Sequence, residues 1–367
     1  LTLPVHGVRL HEDLKLQKRF VASKTLPGAE GRGIMNTSTL SFPQAALPSL
    51  DSFGPITADL EEVERILTRS LRNRQPRVAA VVDHVRHYRG KRLRPVLLLL
   101  AARACGRVAP AHHTLGAVVE MIHSATLVHD DVLDGARVRR RVATVNALWG
   151  VQTSVLLGDY LFTHAFHLAS TVDVTACRLI GEATDRVCEG ELCQVLHRGN
   201  LDLTEAEYFD IIDGKTAELT ACCCRLGALY AGSGPDVVEA LTRFGRLVGQ
   251  AFQIADDMLD LVGDEKATGK SLGTDVEQGK LTLPLIHLLQ EAPPALAARA
   301  RQLLADPQTH RRDLLRPCLQ EAGSLEYARK RALALAVEAR EALACLPVSP
   351  CRGVLEAMTD RVVQRDA

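Results

Sequence analysis

The chain has 367 residues, with 44 Lys plus Arg balanced by 44 Asp plus Glu, so its formal net charge is zero. That balance excludes a general nucleic-acid binder, which would carry a basic face or a basic domain. Aromatic residues are only 4% against 47% hydrophobic overall, which favours a large helical core, and the longest apolar run, Pro95 to Ala102, is far too short to span a membrane.

Residues 1–54 are rich in Pro, Gly, Ser and Thr and poor in apolar periodicity. They read as a disordered N-terminal extension, followed by one helical domain over 55–367. Met35 offers an alternative start. Lys15, Lys18, Arg19 and Lys24 hint at a transit peptide, against which Glu12 and Asp13 speak. Leu60, Val63, Ile66, Leu67 and Leu71 then recur at helical spacing until Pro76 breaks the run. A second run, Val78 to Tyr88, leads into Gly90-Lys91-Arg92-Leu93-Arg94-Pro95. Pro95 suits the first turn of a helix, so these cations sit at a helix start, where the dipole disfavours them unless an anion is near.

A long helix follows over Ala117 to Asp134, with Val118, Met121, Ile122, Ala125, Val128 and Val132 on one broad face and Gly135 as its stop. It ends in Asp130-Asp131-Val132-Leu133-Asp134. Arg137, Arg139, Arg140 and Arg141 follow directly. Further helices cover 145–169 and Cys177 to His197. Thr204-x-x-Glu207 is a capping box opening another, which carries Gly214-Lys215-Thr216-Ala217. A glycine inside a helix costs about 1 kcal/mol relative to alanine, so Gly214 wants a reason. After a turn at Gly232–Pro235, the run Val237 to Leu261 ends in a second acidic pattern, Asp256-Asp257-Met258-Leu259-Asp260. Gly263 to Gly279 reads as a loop with Lys270, and Lys280 closes it. Helices then continue, broken at Pro293-Pro294, Pro307 and Pro347, with Ser324 expected to cap the last long one. No strand pattern stands out. The ten cysteines, among them Cys222-Cys223-Cys224, Cys188 and Cys193, fit neither a disulfide framework nor zinc spacing and read as buried small hydrophobes of a cytoplasmic protein.

The duplicated acidic pattern carries the chemistry. Asp130 and Asp134, like Asp256 and Asp260, are four apart and share a helix face, where like charges repel. A hard divalent cation such as Mg²⁺ relieves that repulsion and commonly bridges carboxylates to substrate phosphates. His123, seven residues before Asp130, shares its face.

Taken in order, these motifs resemble the trans-prenyl diphosphate synthases, with long-chain octaprenyl- and heptaprenyl-type enzymes as the nearest class. The resemblance runs from about Leu60 to near the C-terminus. It implies an all-α, single-domain helical bundle around a central cavity, a homodimer, and Mg²⁺ as cofactor. It also implies Asp130, Asp134 and Asp256 as metal ligands, supported by Asp131, Asp257 and Asp260. Arg139, Lys215, Thr216, Gln253, Lys270 and Lys280 would hold an allylic diphosphate, while Lys91, Arg94, His123 and Arg140 would bind isopentenyl diphosphate. The implied reaction is head-to-tail condensation through an allylic carbocation. In the family, aromatic residues four and five positions before the first motif resemble a floor for short products. Here those positions are Thr126 and Ala125, with Ile122 and Val119 deeper, so the expectation is a long product of the kind used for quinone side chains. The rival readings are a class I terpene cyclase or head-to-head synthase, and a non-catalytic subunit of a heteromeric synthase. Neither a nucleic-acid partner nor a stable membrane anchor is expected.

Overall fold

A computed structural model of the chain describes residues 54–88, 90, 92–263, 272–306 and 311–363. The expected disorder of the N-terminal extension therefore falls almost wholly outside the described residues, as do Lys91, Lys270 and Pro307. Apart from one small hairpin, the regular structure of the described residues is helical. None of the helices is long and apolar enough to cross a membrane.

Helices α1 (Thr57–Ser70) and α2 (Pro76–Val85) precede α3 (Leu93–Ala104). Val96 to Ala102 on α3 is buried on every side, as an apolar run without a polar face must be. It packs between α4 (Pro110–Leu133), α8 (Glu218–Tyr230) and α15 (Pro350–Val363). α4 opens on Pro110, and Gly135 after it takes φ +61°, the left-handed conformation that ends a helix at little cost when the residue is glycine. The middle of the chain supplies α5 (Val145–Ser170), α6 (Val174–Leu196) and α7 (Glu205–Ile212). The capping box is present as expected: Thr204 Oγ1 accepts from Glu207 N at 3.2 Å and Glu207 Oε2 accepts from Thr204 N at 2.8 Å. The longest helix, α9 (Pro235–Val262), carries the second acidic pattern and packs on α8 and on α14 (Ser324–Ala342). Short α10 (Thr274–Glu277), α11 (Leu283–Glu291), α12 (Pro294–Ala305) and α13 (Arg311–Glu321) complete the described chain.

The structure departs from the sequence reading in five places. Val138–Arg139 (β1) and Val142–Ala143 (β2) pair as an antiparallel hairpin. Its turn residues Arg140 and Arg141 have φ of 51° and 66°, values a tight hairpin turn demands but which usually select Asn or Gly. The strands are two residues each, too short to show an alternating pattern. α5 is broken at Gly150, with φ 80°. Part of the expected loop over Gly263 to Gly279 is the helix α10. Ser324 does not cap α14: Gly323 occupies that position at φ 65°, and the Ser324 hydroxyl meets His287 Nδ1 at 3.0 Å. Cys222, Cys223, Cys224, Cys318 and Cys351 are buried as expected, whereas Cys188 and Cys345 are exposed.

Gly214 finds its reason in a π turn, Asp213–Ala217, which follows α7. A Cβ on Gly214 would sit 2.8 Å from Arg186 O and 3.1 Å from Gly190 Cα. Gly190 on α6 and Gly214 thus bring two backbones into contact, which delivers Lys215 and Thr216 to their places. Gly214→Ala should lower the unfolding free energy by about 1–3 kcal/mol. Gly181→Ala, whose methyl would meet nothing within 4 Å, should be neutral or stabilising by about 1 kcal/mol. Chemical denaturation of both variants checks the contrast.

Candidate active site

Both acidic patterns occupy helix C-termini. Asp130 and Asp131 lie in the last turn of α4 and Asp134 is its C-cap. Asp256, Asp257 and Asp260 lie in the last two turns of α9. Exposed carbonyls already make this end of a helix negative, so carboxylates there need compensation. On α9 it comes from another helix. Arg312 Nε donates to Leu261 O at 2.8 Å, its Nη2 donates to Gly263 O, and Arg316 Nη2 donates to Val262 O.

The aspartates divide by environment. Asp131, Asp257 and Asp260 are buried and bonded within the protein. Asp131 accepts from Arg139 Nε at 2.7 Å. Asp257 accepts from the Tyr208 hydroxyl and from Gln253 Nε2, both at 2.7 Å. Burial, together with the neighbouring Asp275, pushes its pKa well up. Asp260 accepts from Thr274 Oγ1 at 3.2 Å and from Asp275 N at 3.1 Å. Asp130, Asp134 and Asp256 instead line a cavity of about 2880 Å³. Burial raises the Asp130 pKa to about 6, with Lys215 opposing the shift and Glu191 adding to it.

Cations reach the aspartates of this cavity or line its wall. Lys280 Nζ lies 3.1 Å from Asp134 Oδ1 and 3.6 Å from Asp275, and Arg198 Nη2 donates to Asp134 at 3.2 Å. Lys215 Nζ reaches Glu191 and Gln194, each at 2.6 Å. Thr216 donates to Gln253 Oε1 at 2.7 Å, so Thr216, Gln253 and Asp257 form one chain of hydrogen bonds. Arg140 donates to Tyr88 O, and its guanidinium fills the space where a Cβ on Gly90 would stand. Arg94 also lines the cavity, and its Nε is buried without a hydrogen-bond partner. His123 faces this group. Burial, then Arg94, Arg140, Arg139 and Arg92, hold its imidazole well below the usual range, so it is neutral.

The basic stretch before α3 proves divided. Arg92 takes φ 51° as the N-cap and pairs with Glu64 at 2.5 Å and Glu120 at 2.6 Å. Its anion is therefore the protein's own, which answers the expectation of a nearby anion for that residue. Arg94, with its orphaned donor, still calls for one.

Apolar side chains form another part of the wall: Leu127, Phe162, Val187, Leu192, Val195 and Phe252. The cavity is larger than the roughly 300–1,000 Å³ typical of small-molecule sites. On α4 its lining includes His123, Thr126, Leu127, Asp130 and Asp134. Along the route expected for a bound chain the two small positions differ. Ala125 is fully buried in a small apolar cluster that also holds Val82, Tyr88, Leu157 and Leu161, and Ile122 and Val119 belong to the main core. Of the two small positions, only Thr126 lines the cavity.

The donor set suits a hard divalent cation. Carboxylates of Asp130 and Asp134 from one helix and Asp256 from another open on one cavity. Among the described residues no three His, Cys, Asp or Glu side chains converge closely enough to hold an ion alone. A cation here would share its coordination with oxygens of a second molecule, the habit of Mg²⁺ at phosphate sites.

Sequence reasoning missed Glu191, Gln194, Arg198, Tyr88 and Tyr208. Glu191-x-x-Gln194 does carry a signal, since residues three apart on a helix share a face and Gly190 beside them marks a close approach. Tyr88 and Tyr208 carry none, because their partners are distant in sequence.

The polyprenyl synthetase family model matches residues 75–322. Octaprenyl diphosphate synthase of Escherichia coli (strain K12) is 40% identical over 281 residues, 76% of this chain and 86% of that protein. A decaprenyl diphosphate synthase from Rhodobacter capsulatus superposes with a TM-score of 0.82 at 37% identity, over 87% of this chain and 100% of that one. A polyprenyl synthase from Caulobacter crescentus CB15, complexed with calcium and isoprenyl diphosphate, gives a TM-score of 0.81 at 35% identity, over 88% and 100%.

Arg312→Ala should lower stability by about 1–3 kcal/mol, because it leaves two carbonyls at the end of α9 without their donor. Urea unfolding measures the loss.

Proposed function

From the premise that the chain belongs to the polyprenyl synthetase family, we propose that it joins isopentenyl diphosphate head-to-tail to an allylic diphosphate in a Mg²⁺-dependent reaction. The chain is a prenyltransferase of polyprenyl diphosphate chain elongation. The observation that carries the finer reading is the convergence of Asp130, Asp134 and Asp256 on one cavity that is walled by cations in one part and apolar side chains in another. Residues 55–367 form the catalytic domain in this reading.

Asp130, Asp134 and Asp256 would hold Mg²⁺, which when bound would offset the charge of the leaving diphosphate as a Lewis acid. Lys215, Arg139 and Lys270 share that charge, and Lys280 adds to it. Gln253 holds the same diphosphate, with Thr216 close by and hydrogen-bonded to it. Arg94, Arg140, His123 and Lys91 seat the second diphosphate. The orphaned Nε of Arg94 is a donor that this anion would satisfy.

The allylic C–O bond breaks, the electron pair leaves with the diphosphate, and an allylic carbocation remains. The double bond of isopentenyl diphosphate attacks it, forming the new C–C bond. Loss of one proton restores neutrality at carbon. His123 is a poor base, being half-buried near four arginines that disfavour its protonation. The departing diphosphate takes the proton. The apolar wall keeps water from the cation and receives the growing chain.

The size of the cavity and the small Thr126 support a long product, of the class attached to quinones. Leu148, Trp149, Val151, Val155 and Leu156 on α5, with Leu196 on α6, expose apolar surface. That surface supports a homodimer. The balanced charge and free cysteines fit a cytoplasmic enzyme.

Purified chain supplied with Mg²⁺, an allylic diphosphate and labelled isopentenyl diphosphate should yield linear elongated diphosphates. Asp256→Asn should cut kcat by about 10²–10³. Cyclised hydrocarbon, or no turnover from the wild-type chain, would reject the reading. Thr126→Phe should shorten the product, since one helical turn of about 5 Å spans roughly one isoprene unit. Chromatography of the dephosphorylated products reads the shift.

A further inference from the structure

Lys215 enters the cavity already paired. Its Nζ lies 2.6 Å from Glu191 Oε2 and donates to Gln194 Oε1 at 2.6 Å. Glu191 and Gln194 share a face of α6, and the Gly190–Gly214 contact presses that face against the π turn. The Lys215 and Glu191 side chains are only 20% and 19% exposed, so each charge needs a partner. Glu191 lines the same cavity as Asp130 and Asp256. A carboxylate is a poor neighbour for a diphosphate, because like charges repel strongly where water is scarce.

We propose that Glu191 is a competing counterion for Lys215. It holds the ammonium in position while the anion site is vacant, gives it up to the substrate diphosphate, and reclaims it as inorganic diphosphate leaves. The inference rests on the reading of Lys215 as a diphosphate ligand. Its physical sense lies in repetition. A chain-elongating enzyme must discharge inorganic diphosphate once for every unit added. A lysine with no alternative partner would grip the by-product as firmly as the reactant. Glu191 weakens both alike, which favours turnover over ground-state binding. It touches no reacting atom and is a positioning residue.

The test is calorimetric titration of the full-length protein with inorganic diphosphate at fixed, saturating Mg²⁺. Glu191→Gln should bind about tenfold tighter, the scale of a close, partly buried charge pair. Lys215→Met should bind about tenfold weaker by the same measure. In the double variant the gain from Glu191→Gln should vanish. In steady state Glu191→Gln should show a lower KM for the allylic diphosphate, a lower kcat and stronger inhibition by inorganic diphosphate. Glu191→Asp should return these constants toward wild type. Glu189→Gln, on the exposed side of α6 where it pairs with Arg186, should change none of them. Glu191→Ala serves in the titration if the glutamine variant does not fold.

Unchanged or weaker binding by Glu191→Gln overturns the inference. Weaker binding with a raised Mg²⁺ requirement overturns it in favour of Glu191 as a metal ligand. If Lys215→Met leaves the affinity unaltered, the parent assignment of Lys215 fails. If Lys215→Met weakens binding while Glu191→Gln does not strengthen it, only the counterion proposal fails.

Discussion

Carboxylates crowded onto the negative ends of two long helices are the electrostatic problem the fold has to solve. The C-terminal ends of α4 and α9 are already the negative poles of their helices, and each also carries three aspartates. Cations from elsewhere in the chain answer part of the charge. Arg139, Arg198 and Lys280 reach the first cluster, and Arg312 and Arg316 bond the carbonyls beyond the second. Neutral donors, Tyr208, Gln253 and Thr274, hold the buried members. Asp130, Asp134 and Asp256 are the members that face the cavity.

Close backbone contact gives that field its shape. Gly190 and Gly214 let α6 and the π turn touch. Lys215, Glu191 and Gln194 can then meet at hydrogen-bonding distance across two elements. A π turn adds one residue to a helical turn and rotates the side chains that follow. Lys215 and Thr216 lie within this one. The irregularity aims them, and the glycines pay its steric cost.

The hairpin between α4 and α5 performs a second alignment. Two arginines occupy its left-handed turn, at a cost of roughly 1–2 kcal/mol each. Their neighbours over-determine the conformation. Arg139 is held by Asp131, and Arg140 is held by Tyr88 O and by the space Gly90 leaves. The Tyr88 hydroxyl also accepts from Val145 N at 2.8 Å. The first acidic helix, the hairpin and the stretch before α3 thereby share one network.

Helical periodicity, the capping box, the prolines at helix starts and the duplicated acidic pattern are local properties, and from them the sequence alone determined an all-helical bundle with a candidate metal and diphosphate site. They were legible because side chains three and four apart on a helix share a face whatever the rest of the chain does. Which aspartates open on the cavity and which are buried was decided by partners tens of residues away, such as Tyr208 for Asp257 and Lys280 for Asp134. Periodicity could equally not tell that α4 turns Thr126 to the cavity and Ala125 into the core. Both residues are small and adjacent, and only the elements packed around the helix distinguish its faces. The tertiary structure settled that choice, because burial belongs to the assembled bundle and not to any one of its helices.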